Sequence, residues 1–323
     1  MKQRNYSIDI LKFICAVLVV FLHTGFKWHN MILPFTRCAV PCFLMISGFL
    51  LYSAEGIGQE RLKRNIKHIL HILLWSTLLF LVYKEAWSIA HGELFVPSLK
   101  ECIFFFIFND NPFAGHLWYL GAYLYVLLIM LIVDKHRLWK YMFWFTPLLL
   151  LGDLVFGKYS LLLLGKEFPF VYVRNFLFVG IPYFMIGIWC KMYFDKFLKG
   201  NRYIYLGGGI LFAFTSIIEK TILLDLGKSP MREHYLSTTF LAICLFMFVL
   251  SFMNVHSSKV SQWGERDSLY IYVFHPLFVM TLPMVIKRMP ILMNTTYQCV
   301  APFIVLVTTI VFTLCLRKIK IIK

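Results

Sequence analysis

The chain has 323 residues, 60% of them hydrophobic and only 15% charged. Soluble domains sit near about 45–50% apolar, so a soluble globular protein is excluded and an all-α, polytopic membrane protein is expected. The net charge of +16 then reflects topology and contact with anionic membrane lipids rather than nucleic acid.

The first five residues, Met1 to Asn5, are short and basic, and no small-residue cleavage site follows Val20. The first apolar stretch is therefore expected to be a retained span rather than a signal peptide. Apolar stretches of spanning length fall near 8–26, 37–53, 68–90, 116–133, 138–157, 172–192, 203–222, 236–254, 268–287 and 298–316. That pattern predicts about ten transmembrane helices separated by Pro, Gly, Asn or charged residues. The third and seventh carry Lys84, Glu85, Glu219 and Lys220 near one end. With the N-terminus inside, nineteen Lys and Arg fall on inner segments and twelve on outer ones, which predicts both termini in the cytoplasm. The stretch ECIFFFIFND (101–110) is too short to span and reads as an interfacial or re-entrant piece on the outer side. No internal repeat or soluble extension interrupts residues 1–323, so one transmembrane domain is expected. The eight cysteines show no C-x-x-C pair and no His/Cys cluster, so neither a disulfide framework nor a metal site is expected.

The first span, IDILKFICAVLVVFLHT, carries Asp9, Lys12 and His23. Ionisable groups are costly in hydrocarbon and mark functional paths when they occur there. Lys12 and His23 are eleven residues apart, which on a helix places them within roughly 20° of one another and about 16 Å apart along the axis. One stripe thus carries a cation near the inner mouth and an imidazole near the outer end, and both are expected to face a polar tunnel.

This Lys-x10-His spacing, with Asp9 three residues before Lys12, resembles the acyltransferase 3 family of bacterial membrane acyltransferases. RCAVPCFLMISGFLLY (37–52), RLKR (61–64), GHLWYLGAYLY (115–125), RNFLFVGIPYFMIGIW (174–189) and WGERDSLYIYVFHP (263–276) resemble family segments in the same order. The likeness runs over nearly the whole chain. Lys12 departs from the Arg that is common in the family, which keeps the charge but loses the bidentate fork. The resemblance implies an O-acyltransferase of a bacterial inner membrane. It would move an acetyl group from cytoplasmic acetyl-CoA to a hydroxyl of a cell-surface or lipid-linked sugar.

The residues suit that chemistry. Acyl transfer to a hydroxyl needs a general base with a pKa near 7, and His23 is the candidate, as base or as acyl carrier. Arg61 and Arg64, with Lys63 and Lys67 nearby, offer a positive mouth for the phosphates of CoA. An imidazole base works better with an orienting carboxylate; Asp153 and Glu219 lie at suitable depth, and Glu219 is the favoured one. Arg37 is placed to bind an acceptor or stabilise an oxyanion. His116, Trp118 and Tyr119 open the fourth span on the outer side, where aromatics serve a membrane belt or stack on a sugar. His275, followed by Pro276, faces the same cavity or bonds within the bundle. Ser47 and Gly48 are expected to let helices approach closely. The competing readings are an exporter component for a polysaccharide or lipid-linked sugar and a scaffold in a glycan-assembly complex.

Overall fold

A computed structural model describes residues 5–53, 56–198, 200–229, 234–252, 255–287 and 295–322. Lys2, Arg4, Lys199 and Lys323 of the inner basic set, and the last two residues of the 236–254 span, lie outside them. The helices in chain order are α1 (Tyr6–His23), α2 (His29–Thr36), α3 (Ala39–Leu51), α4 (Gln59–Ala90), α5 (Leu99–Phe108), α6 (Trp118–Lys135), α7 (Trp139–Asp153), α8 (Ser160–Leu163), α9 (Ile181–Met192), α10 (Phe194–Leu198), α11 (Arg202–Asp225), α12 (Leu236–Leu250), α13 (Lys259–Arg266), α14 (Ser268–Lys287) and α15 (Thr295–Lys318). No β-strand occurs among the described residues. The described residues are all-α, as the apolar composition predicts.

Among the described residues, seven helices are long and apolar enough to cross a membrane: α1, the α2–α3 segment, α4, α6, α11, α14 and α15. The other three expected spans are shorter helical pieces. The α7 and α12 helices have 15 residues each, or about 22 Å of rise against a hydrocarbon core of about 30 Å. The α7 helix runs on into a π-helical turn at Leu154–Lys158, and a second π turn, Phe176–Gly180, leads into α9. The 101–110 stretch is α5, started by a capping box in which Ser98 and Glu101 exchange hydrogen bonds.

The chain divides into two compact units. The first comprises residues 1–43, 195–222 and 235–323. Here α13 and α14 run against α1. A capping box between Ser258 and Ser261 starts α13, and Gly264 brings that helix onto the α1 backbone: a Cβ there would lie 1.6 Å from the Asp9 carbonyl oxygen. Farther along, Ala16 and Val20 pack with Ile271 and Val305, with Phe13, Phe278 and Leu282 around them. At the far end of α15, Arg317 pairs with buried Asp267 at 2.6 Å and donates to the Arg266 carbonyl.

The second unit comprises residues 44–194 and 223–234. Its tightest contact is reciprocal. A Cβ on Gly48 of α3 would lie 2.1 Å from the Phe184 carbonyl oxygen, and one on Gly187 of α9 would lie 2.0 Å from that of Met45. Two glycines thus let two backbones touch, the close approach expected at Gly48. Asp134, at the end of α6, accepts from the Ile57 backbone and from Gln59, fixing the turn that leads into α4.

Candidate functional site

In the first unit, Lys12 and His23 lie on one unbroken helix. Lys12 Nζ is 2.9 Å from Asp9 Oδ1, and Asp9 is buried, so the cation is held by the carboxylate one turn before it. Between Lys12 and His23 the same stripe carries Ala16 and Val19, both fully buried. Apolar packing, with Ala16 against Ile271, separates the two polar residues along the helix. His23 is the last helical residue and is exposed.

Its ring meets that of His275, with centroids 5.2 Å apart and planes tilted by 35°. His275 is completely buried. The sequence explains how its ring is set. Pro276 has no N–H, so the Tyr272 carbonyl loses its donor from the following turn. His275 Nδ1 takes that place at 2.7 Å. A carbonyl only accepts, so Nδ1 carries the hydrogen. The His-Pro dipeptide thereby fixes the ring that lies against His23.

The other expected site residues are distributed differently. Glu219 accepts from the backbone N–H groups of Leu236 and Ser237 at 2.9 and 3.0 Å. Its carboxylate caps α12, where the helix dipole favours a negative charge. Arg37 is half-buried at the C-terminal cap of the short α2 helix.

In the second unit, Arg61 donates to the Leu51 and Leu50 carbonyls at 2.9 and 2.7 Å. It closes the C-terminus of α3, whereas Arg64 and Lys67 are exposed on α4. His116 is buried with its ring edge-on to Phe80. Trp118 and Tyr119 are buried as well. The Arg174 guanidinium lies 5.4 Å from the Trp118 ring, and Tyr119 stacks on Tyr123. These aromatics serve packing more than an open belt. Asp110 lies beside Arg174; burial pushes its carboxyl up and the guanidinium opposes that shift.

One pair escaped the sequence reading. His234 Nδ1 is 2.8 Å from Asp153 Oδ2, with side-chain exposures of 2% and 6%. The Tyr183 ring lies 5.6 Å away. Asp153 is a candidate orienting carboxylate from the sequence, whereas nothing local to His234 marks it for a role. Its partner is 81 residues distant in sequence.

A family model described as an acyltransferase domain matches residues 5–317. The chain belongs to the acyltransferase 3 family. Among curated proteins, an amino-acid racemase of Enterococcus faecalis is 27% identical over 91% of this chain and 44% of its own length. A serine/alanine racemase of Enterococcus gallinarum is 24% identical over 96% of this chain and 45% of its own. The acyltransferase 3 chain therefore spans less than half the length of these relatives. No solved structure matches it.

Proposed function

We propose that this acyltransferase 3 protein is a membrane O-acyltransferase that moves an acetyl group from cytoplasmic acetyl-CoA to a hydroxyl acceptor on the opposite face. The observation that carries the reading is the imidazole pair, His23 with the tautomer-fixed His275 beside it, in a chain whose family is acyltransferase. In the transfer, the acceptor oxygen bonds to the acetyl carbon and the carbon–sulfur bond breaks. CoA leaves as a thiolate and receives the proton that the hydroxyl gave up. His23 takes part either by accepting that proton or by carrying the acetyl group on nitrogen between the two half-reactions. The His275 ring lies against that of His23. Exposed Arg64 and Lys67 of the second unit provide positive charge for the anionic donor. The excess of basic residues on the inner segments supports cytoplasmic termini in a bacterial inner membrane.

A cell-surface or lipid-linked sugar is the leading acceptor. The relative named for serine and alanine favours a second class, a small hydroxylated amino acid. The racemase names belong to proteins more than twice as long, and racemisation is not carried over. Membranes holding the protein, supplied with labelled acetyl-CoA and either the envelope fraction of the source cells or L-serine, separate these acceptors. An exporter would move sugar without consuming acetyl-CoA, and that result would overturn the reading.

A further inference from the structure

The turn that follows α1 belongs to the first unit, as His23 does. It is tied down through Thr24, Lys27 and His29. Thr24 donates from its N–H and its hydroxyl to the Val20 carbonyl, at 3.0 and 2.8 Å. The Lys27 N–H donates to the Gln298 carbonyl of α15 at 2.9 Å. His29 Nδ1 donates to the Thr24 carbonyl at 3.0 Å, and its ring stands edge-on to Phe26. On this frame Gly25, Lys27, Trp28 and Asn30 are exposed.

The glycine and the tryptophan are not accounted for by folding. Gly25 does not adopt a positive φ, so its conformation does not call for glycine. A Cβ there would meet no atom of the described residues within 4 Å, so packing does not call for it either. At such a position glycine only loosens the unfolded chain, which costs stability. What it does supply is open space two residues beyond His23. Trp28 follows three residues later with its side chain 48% exposed, and Lys27 Nζ lies 5.6 Å from its ring centroid. A membrane belt accounts for an indole at this level, but not for a glycine kept open beside the exposed imidazole.

We infer that the Gly25–Asn30 turn is the rim that binds the acceptor, and that the acceptor is a sugar. A sugar ring occupies the space at Gly25 and packs its C–H face on the flat apolar face of the Trp28 indole. Lys27 and Asn30 supply donors for its hydroxyls. The inference rests on the O-acyltransferase reading and adds to it the acceptor class and the residues that hold it. A small amino acid such as serine has no ring to stack and no need of this rim.

The test uses the full chain in lipid nanodiscs and labelled oligosaccharide released from the envelope of the source cells. Equilibrium dialysis reads oligosaccharide binding, and acetyl transfer from acetyl-CoA is read in parallel. Gly25→Leu fills the space. It is expected to unfold at or above the wild-type temperature, to bind acetyl-CoA as wild type does and to bind the oligosaccharide at least about tenfold more weakly. Trp28→Ala is expected to weaken oligosaccharide binding about tenfold with acetyl-CoA binding unchanged, and Trp28→Phe to restore most of it. Wild-type oligosaccharide affinity in Gly25→Leu would overturn the inference. If that variant accumulates poorly, wild-type affinity in Trp28→Ala overturns it equally, and an accompanying loss of stability would mark Trp28 as a lipid anchor. A wild-type protein that acetylates L-serine and binds no oligosaccharide overturns it as well. A wild-type protein that binds the oligosaccharide through Gly25 and Trp28 but transfers no acetyl would keep the rim and remove the O-acyltransferase reading.

Discussion

Gly264 is the position at which one methyl group should do most damage. Its missing Cβ would sit 1.6 Å from the Asp9 carbonyl oxygen, 2.6 Å from the Asp9 carbonyl carbon and 3.2 Å from the Phe13 nitrogen. All three are backbone atoms of α1, so no side chain can swing aside. Restoring the 3.4 Å of ordinary contact requires α13 and α1 to part by about 1.8 Å, far beyond what a close-packed interface absorbs. Overpacking typically costs about 1–3 kcal/mol, and a backbone obstruction belongs at or above the upper end, so Gly264→Ala is expected to destabilise by about 3 kcal/mol or more. The same displacement reaches the chemistry, because α1 carries Lys12 and His23 and α14 follows directly from α13. A shift near 1 Å in reacting groups can cost about 10²-fold in rate. Thermal unfolding in detergent and acetyl transfer in membranes at matched expression measure the two effects. A Gly264→Ala protein with wild-type unfolding and wild-type transfer would refute the close-approach argument.

Gly187→Ala should destabilise the second unit by a similar ~3 kcal/mol, because its Cβ meets the Met45 carbonyl at 2.0 Å; thermal unfolding checks it. Arg61→Ala removes two charged hydrogen bonds to the end of α3 and is expected to cost roughly 1–3 kcal/mol of stability, whereas Arg64→Ala should leave unfolding unchanged and raise the KM for acetyl-CoA more than it lowers kcat. Glu219→Ala should cost about 1 kcal/mol through the lost cap on α12 and leave transfer per folded molecule near wild type; a large loss of kcat would return Glu219 to the catalytic set. Pro276→Ala supplies an N–H for the Tyr272 carbonyl, competes with His275 Nδ1 and should lower transfer without lowering stability, read from paired unfolding and activity measurements.

The helical architecture was legible because hydrocarbon imposes its own length and polarity rules, and seven helices meet them. The remaining three expected spans differ because apolar composition fixes where a segment is buried, not whether it stays regular. Nothing local announces the π turns after Asp153 and before α9. The Lys12–His23 stripe followed from helical spacing alone, and His275 was visible as an ionisable residue within an apolar run. What spacing could not supply was the partner of each polar group. Arg61 lies beside other basic residues and reads as part of a phosphate mouth, yet its guanidinium is used on two carbonyls of the preceding helix. Glu219 reads as an orienting acid and caps a helix that starts 17 residues later. His234 and Asp153 meet only through tertiary packing. Trp118 and Tyr119, typical of a membrane belt by composition, are buried because α6 packs them inward.

The central claim rests on His23, and one measurement tests it most directly: acetyl transfer from labelled acetyl-CoA by His23→Ala in membranes at matched expression, with acetyl-CoA binding determined separately. The residue is exposed at the end of α1 and contributes little packing, so the variant should fold, insert and bind the donor as wild type does. Transfer should fall by about 10²–10⁴-fold, and further if the imidazole carries the acyl group. A well-expressed His23→Ala protein that transfers acetyl at the wild-type rate would contradict the account.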